Sequence, residues 1–453
     1  MKKVSESRRS FLKKGGMLAA AAPAAASGIL LGTPATASAA PMLMTSKVAP
    51  LPKAKGPRVV VVGAGTSGLS VARGLKRDNP KFDVVIVDPR AQYQSCFCSN
   101  LWYGDVVNME YLANHGYCDA GAAIDYIFFQ AACTGVDFDS NICYTNRGEI
   151  KYDFIYMAPG IDYDYTRMGV NDPETEYYIR MNYPGGWVMP TEQVSVRNKI
   201  QGFTGGVFVV TSPSGNYRCL PSPYERACVV AGWIKKNKIP GKVLLLDMNP
   251  DITIKAKGFH EAYNQLYPDI VEYVSSAGIK GIDPWKKEIK TEFKTYKFDE
   301  MTLYPGVRGG YLFEQLGMVY PESQQKEANI DAHTYNLKKG DKKIHNAFAG
   351  GDSRWMPFSK SGNTSQTEGF HIAKLITAAE AGKTIPYKSP HTVCYSMVNY
   401  DPLQAIYVSL HYAYDKKKGM WQFARVQEDD NRDAAKAARY LEWGKDMYRN
   451  MFT

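Results

Sequence analysis

The stretch Arg58-Val59-Val60-Val61-Val62-Gly63-Ala64-Gly65-Thr66-Ser67-Gly68 constrains the fold of this chain more than any other. A β-branched run without polar alternation, ended by glycine, reads as a parallel strand buried on both faces. Leu69 to Lys76 then reads as a helix, and Asp83 to Val87 as a second strand ending in Asp88. Strand, G-x-G-x-x-G, helix and strand in that order predict a dinucleotide-binding β-α-β unit. Gly63 makes the tight turn, Gly65 lets a pyrophosphate approach the backbone, and Gly68 lets helix and strand pack closely. Asp88, 20 residues beyond Gly68, is placed to accept from a ribose hydroxyl.

Further along, Lys151 to Gly160 reads as a strand closing on Pro159-Gly160, and a second α/β unit begins near Gly205. Its strands are Val207–Val210 and Lys242–Leu246, with a helix over Tyr224–Lys236 between them. Where a second glycine fingerprint belongs, the chain has Thr211-Ser212-Pro213-Ser214-Gly215-Asn216, so this unit is expected to keep the architecture without binding NAD(P)H. Ile344 to Asp352 reads as a short strand ending in Gly-Gly-Asp, followed by a helix from about Gln366 to Ala381. Asp352 is either a turn residue or an acceptor for the ribityl chain of a flavin. The helix N-terminus would aim its dipole at the flavin pyrimidine.

The N-terminus carries a different signal. Ser7-Arg8-Arg9-Ser10-Phe11-Leu12-Lys13 is a twin-arginine pattern, followed by an apolar stretch from Met17 to Leu31 and by Ala37-Ser38-Ala39. That stretch is short and rich in Ala and Gly, whereas a membrane anchor needs roughly 20 strongly apolar residues. Residues 1–39 are therefore expected to be a cleaved twin-arginine leader and the mature chain to be periplasmic, with no transmembrane segment. The route exports folded proteins, which suits one that takes up its cofactor in the cytoplasm. The formal net charge of +10 falls by about half once the leader's six basic residues and one acid are set aside, too little to argue for nucleic acid. A periplasmic chain is free to form disulfides, and this one has eight cysteines. No C-x-x-C-H, H-E-x-x-H or paired C-x-x-C occurs, so neither a haem of its own nor a metal site is expected.

Three cysteine contexts stand out: Y-Q-S-C-F-C-S-N at Cys96, Y-R-C-L-P-S-P-Y-E-R at Cys219 and H-T-V-C-Y-S-M at Cys394. Cys96 lies eight residues past the ribose acid, in a loop expected beside a flavin. It is either the site of a thioether to the flavin 8α-methyl or a disulfide or small core residue. Cys219 precedes a helix expected to begin near Ser222-Pro223, where unpaired N–H groups would lower a thiol pKa. Glu225, in the first turn, is either an ordinary helix-start carboxylate or a proton shuttle near the sulfur.

These segments resemble the flavoprotein subunit of flavocytochrome c sulfide dehydrogenase, within the disulfide oxidoreductase superfamily. The matching stretches are V-V-V-V-G-A-G-T-S-G, Y-Q-S-C-F-C-S-N, Y-D-F-I-Y-M-A-P-G-I-D-Y, Y-R-C-L-P-S-P-Y-E-R-A, G-G-D-S-R-W-M-P-F-S-K-S-G and T-V-C-Y-S. The resemblance implies an α/β fold of glutathione-reductase type, with two Rossmann-like domains and a C-terminal α+β interface region. The corresponding boundaries are a linker over 40–57, the flavin domain over 58–170 and 313–385, the second Rossmann-like domain over 171–312, and the C-terminal domain over 386–453. It implies FAD attached covalently at Cys96, a redox disulfide between Cys219 and Cys394, and Glu225 as the nearby acid/base. By the same resemblance, hydrosulfide attacks the disulfide and leaves a persulfide; two electrons reach the flavin and then a haem on a separate cytochrome c subunit, in a heterodimer. A small inorganic sulfur compound is the expected substrate. The rival readings are a sulfide:quinone oxidoreductase-like enzyme and a non-catalytic electron-transfer flavoprotein. Cys98 stands where the family carries an apolar residue, and Cys118, Cys133, Cys143 and Cys228 are extra to its pattern. The segment Pro284–Glu327 matches poorly and lies where part of a substrate entrance is expected.

Overall fold

A computed structural model describes residues 47–453 apart from 114 and 189. The leader and the first residues of the linker lie outside the described residues. In chain order the elements that build the site are β1 (Arg58–Val62), α1 (Thr66–Asp78), β2 (Asp83–Asp88), β3 (Ile127–Gln130) and β4 (Phe154–Met157). Next come β5 (Gly206–Ser212), α2 (Ser222–Asn237), β6 (Gly241–Asp247), β7 (Val271–Val274) and β8 (Glu300–Thr302). The chain closes with β9 (Asn336–Lys339), β10 (Lys342–Ala349), α3 (Gly362–Glu380), β11 (His391–Tyr400), β12 (Leu403–Asp415), β13 (Met420–Asp433) and α4 (Ala434–Phe452).

The first sheet has the order β9-β10-β4-β1-β2-β3. β1 is its centre, parallel to β2 (Val60↔Val85) and to β4 (Val60↔Ile155). Val59, Val60 and Val61 are fully buried, as a strand covered on both faces requires. The chain leaves this sheet after β4 and returns with the antiparallel pair β9 and β10, of which β10 runs parallel to β4 (Phe348↔Tyr156). A second, wholly parallel sheet, β7-β6-β5-β8, is made by the intervening residues. Both sheets have the doubly wound character expected of Rossmann-like units.

The tail forms a third sheet, β11-β12-β13, antiparallel throughout. α4 then packs back on the first domain, burying Tyr440, Met447, Tyr448, Met451 and Phe452. The Phe452 ring lies 5.3 Å from Tyr93 and stacks on His115 at 4.4 Å. Basic residues of α4 such as Arg439, Lys445 and Arg449 stay at the surface. The linker is pinned where it is described: Ala49 N–H donates to Glu149 O (3.0 Å) and Glu149 N–H to Lys47 O (2.8 Å). Strand-like pairing along an open edge holds it. Among the described residues no helix is long and apolar enough to cross a membrane.

Candidate active site

One cavity of about 450 Å³ is lined by Gly63, Gly65, Asp88, Cys96, Cys219, Glu225, Asp352 and Cys394. Eight of the nine candidate site residues thus meet in one space, drawn from all three sheets. The ninth, Gly68, lies beneath it.

At the dinucleotide end, Gly63 has φ +98°, a left-handed conformation that other residues resist. A Cβ on Gly68 would stand 1.9 Å from Gly63 O, so the helix can approach the strand only with glycine there. A Cβ on Gly65 would meet nothing within 4 Å, which leaves the backbone open to a phosphate. Asp88 accepts from Ala64 N–H (2.8 Å) and forms a two-point ion pair with Arg90 (2.9 and 2.7 Å). Arg90, for which the sequence suggests no role, therefore fixes the acid expected to accept from a ribose.

The Gly-Gly-Asp turn is held from below. Gly351, at φ +66°, donates its N–H to Glu368 (2.9 Å), and Glu368 pairs with Arg354 at 2.6 Å, both fully buried. This aims Asp352 into the cavity, where it pairs with Arg218 at 2.6 Å and accepts from Ser365 Oγ at 3.3 Å. Burial pushes the Asp352 pKa up, but Arg218, Lys360 and Arg354 more than offset it and hold the group below the ordinary carboxylate value. α3 begins at Gly362, earlier than the sequence predicts, because Ser361 Oγ caps Thr364 N–H at 3.2 Å. Ser361, Gly362, Asn363 and Ser365 all line the cavity, so the positive end of the helix faces it.

Cys219 and Cys394 are free thiols that line the same cavity and shift each other's pKa. Cys219 reaches the first domain because Arg218 bridges Lys360 in parallel and Cys219 N–H donates to Lys360 O at 2.7 Å. Its backbone is left-handed (φ +58°), and its carbonyl accepts from Ser222 N–H at 2.8 Å. Cys394 comes from β11, opposite Val408 of β12. The helix-start argument gives the low pKa to Cys219; the structure reverses this. Cys219 lies ahead of the N-cap, Pro221, and its hydrogen bond with Cys394, together with burial, raises its pKa. Cys394 is the lowered partner, through the hydrogen bond from Cys219 and, against burial, the charge of Lys255. Lys255 is itself fully buried, its Nζ 2.6 Å from Oγ of Ser396, two residues along β11 on the same face as Cys394.

Glu225 lies in the first turn of α2, which runs Ser222–Asn237 with Pro223 near its start. The carboxylate is buried, accepting from Met397 N–H at 2.9 Å and from Asn100 Nδ2 at 3.1 Å. Burial raises its pKa; Met397, Asn100, Lys255 and Arg226 pull the other way and do not cancel it. A buried carboxyl beside thiols, with a raised pKa, is equipped to hold and release a proton. Asn100 is oriented in turn by Arg226, whose Nε donates to Asn100 Oδ1 at 2.8 Å and whose guanidinium sits 4.1 Å over the Trp187 ring. Asn100, Arg218 and Arg226 all fall inside the cysteine motifs, yet only folding shows what they touch.

Cys96 is half-buried on the cavity wall, with Sγ 3.6 Å from Trp187 O, and burial raises its pKa. Cys98 also reaches the wall but is buried, with a left-handed backbone (φ +64°) capping the short helix Ser99–Tyr103. Of the poorly matching segment Pro284–Glu327, only Leu312 lines the cavity. The segment also supplies β8, two strands of a peripheral three-stranded sheet, the strand Gly306–Gly309 and the helix Tyr311–Gln315.

The open glycine turn, the ribose acid, the inward Asp352 and the helix terminus fit a flavin dinucleotide running from Asp88 toward the thiols. Residues 194–305 match the family model described as "Sulfide dehydrogenase (flavocytochrome c) flavoprotein chain, central". The fold is similar to that of the sulfide:quinone oxidoreductase from Aquifex aeolicus, with a TM-score of 0.70, 14% identity, and coverage of 87% of this chain and 91% of that one. It is also similar to NDH2 from Plasmodium falciparum (TM-score 0.61, 10% identity, 88% and 95% coverage). The NAD-dependent persulfide reductase from A. fulgidus is a third likeness (TM-score 0.56, 14% identity, 87% and 77% coverage). The family match thus falls on the central domain, which carries Cys219 and Glu225, and the chain as a whole is similar in fold to the sulfide:quinone oxidoreductase.

Proposed function

We propose that the protein is a periplasmic sulfide dehydrogenase that oxidises a small inorganic sulfur compound at Cys219 and Cys394 and passes the electrons to a c-type cytochrome subunit. The observation that carries the reading is the convergence of Cys219, Cys394 and Glu225 on one cavity with the flavin-cradle residues. Bound FAD supplies a two-electron acceptor that can hand electrons on singly. The chain supplies the sulfur chemistry. In the oxidised pair, hydrosulfide attacks one sulfur; the S–S bond breaks, a persulfide forms on that cysteine and the other leaves as thiolate. Cys394 is the better leaving thiolate, since Lys255 stabilises its charge. Attack is therefore assigned to Cys219, and Glu225 takes up or returns the proton of the bound sulfur.

Support for a cytochrome rather than a membrane quinone as acceptor comes from α4. Its apolar side is spent on packing against the first domain, and its outer side carries Lys and Arg. Anaerobic titration of the holoprotein with sulfide tests the reading. The flavin absorbance should bleach, and added cytochrome c should then be reduced. Bleaching by dithionite but not by sulfide would reject the substrate; electrons passing only to a quinone analogue would reject the acceptor.

Cys96 is proposed as the 8α-S-cysteinyl attachment, being the thiol on the cavity wall beside Arg218 and Asp352. Cys96→Ser should leave the flavin in the supernatant after acid precipitation, where the wild type keeps it in the pellet. Flavin retained by the variant would move the linkage to Cys98.

A further inference from the structure

Cys133 and Cys143, which the proposed reaction does not use, lie with their sulfurs 3.7 Å apart. They belong to a small antiparallel sheet made of Cys133–Asp137, Ile142–Thr145 and Gly148–Lys151. Cys143 pairs with Val136 and Cys133 with Thr145, and a bulge between Cys133 and Gly135 takes up the offset. That bulge brings two residues from diagonal positions onto the same face and into sulfur contact. Cys143 is fully buried, and Cys133 lines the flavin cavity. Cys133 follows directly on β3, where Ala131 N–H donates to Asp88 O at 3.1 Å. The pair therefore lies under the adenosine end of the cavity, away from Cys219 and Cys394.

We propose that Cys133 and Cys143 form a second, structural disulfide that pins this sheet beneath the adenosine end of the flavin site. Bonding needs the 3.7 Å gap to close to about 2.05 Å, within reach of side-chain rotation in two neighbouring strands. The oxidant is a disulfide donor. The Cys133 thiolate attacks the donor disulfide and expels one donor thiol; Cys143 then attacks Cys133 of the mixed disulfide and expels the second. Two chain thiols are oxidised and one donor disulfide is reduced to two thiols, so atoms and electrons balance. Cys133 is the attacking group because its pKa is the lowered one of the pair, through the hydrogen bond with Cys143. The bond closes a loop with nine residues between its ends, so its gain is at the small end for a cross-link.

The test uses the full-length holoprotein incubated with oxidised glutathione, then denatured in iodoacetamide without reductant. Chymotrypsin cuts after Phe138, between the two cysteines, so the disulfide appears as two linked peptides lighter by two hydrogen atoms. Both cysteines carrying the alkyl group, or stable mixed disulfides with glutathione, would overturn the proposal. A second measurement reads the pinning. Dithiothreitol should lower the melting temperature of the oxidised protein by roughly 2–5 °C. The Cys133→Ser, Cys143→Ser double variant should lack that part of the shift, while keeping any part due to Cys219 and Cys394. Equal shifts in both proteins would show that this pair contributes nothing and overturn the structural role.

Discussion

Cys394→Ser should abolish flavin bleaching by sulfide while leaving the flavin bound and reducible by dithionite. The serine keeps the shape of β11 and the pairing with Val408, so the cradle around Gly63, Asp88 and Asp352 stays intact. What it removes is the thiolate that leaves when hydrosulfide opens the disulfide. Cys219 alone cannot present an S–S bond for hydrosulfide to open. The rate of sulfide-dependent bleaching, followed by anaerobic stopped flow, should fall by about 10³-fold or more, the scale of losing a covalent catalytic group. Bleaching at the wild-type rate would remove the disulfide mechanism and leave an electron-relay flavoprotein as the surviving reading.

Replacing Glu225 by Gln should slow the same bleaching by about 10²-fold or more, without loss of the flavin or of the dithiol pair. The amide can still accept from Met397 N–H and face Asn100, so the packing around α2 is kept. It cannot carry a proton, so the pH dependence assigned to Glu225 should vanish from the variant's rate profile; an unchanged profile would reject its role. Stability offers a second readout whose sign is fixed. Burial raises the pKa of Glu225 in the folded state above its unfolded value. Its protonated form therefore favours folding, and this contribution is complete below the unfolded pKa, about 4.3, and is lost as pH rises through the folded value. Relative to the wild type, the Gln variant should gain stability between about pH 4 and about pH 7. Denaturant unfolding at the two pH values checks it.

Much of the scaffold was legible because it rests on local rules. A β-branched run, three glycines at fixed spacing and an acid at the end of the next strand dictate β1, α1 and β2 from backbone geometry alone. Pro223 near the start of α2 and Ser361 ahead of α3 are likewise local signals, although the sequence placed α3 about one turn late because Gly362 looked like loop. The sheet β11-β12-β13 was hidden, since its long strands mix exposed polar positions with buried ones and β13 is mostly exposed.

The site divides the same way. The sequence by itself singled out the residues proposed to carry the chemistry, because Cys96, Cys219, Glu225, Asp352 and Cys394 sit in distinctive local contexts. Tertiary structure alone decided what each of them faces. Three sheets must pack before Cys219 meets Cys394, before Arg218 pairs with Asp352, and before Lys255 is buried near the β11 thiol. That packing also reversed which sulfur bears the lower pKa, since the charge state of a buried group depends on desolvation and on charges a few ångströms away, and neither is a property of neighbours in the chain.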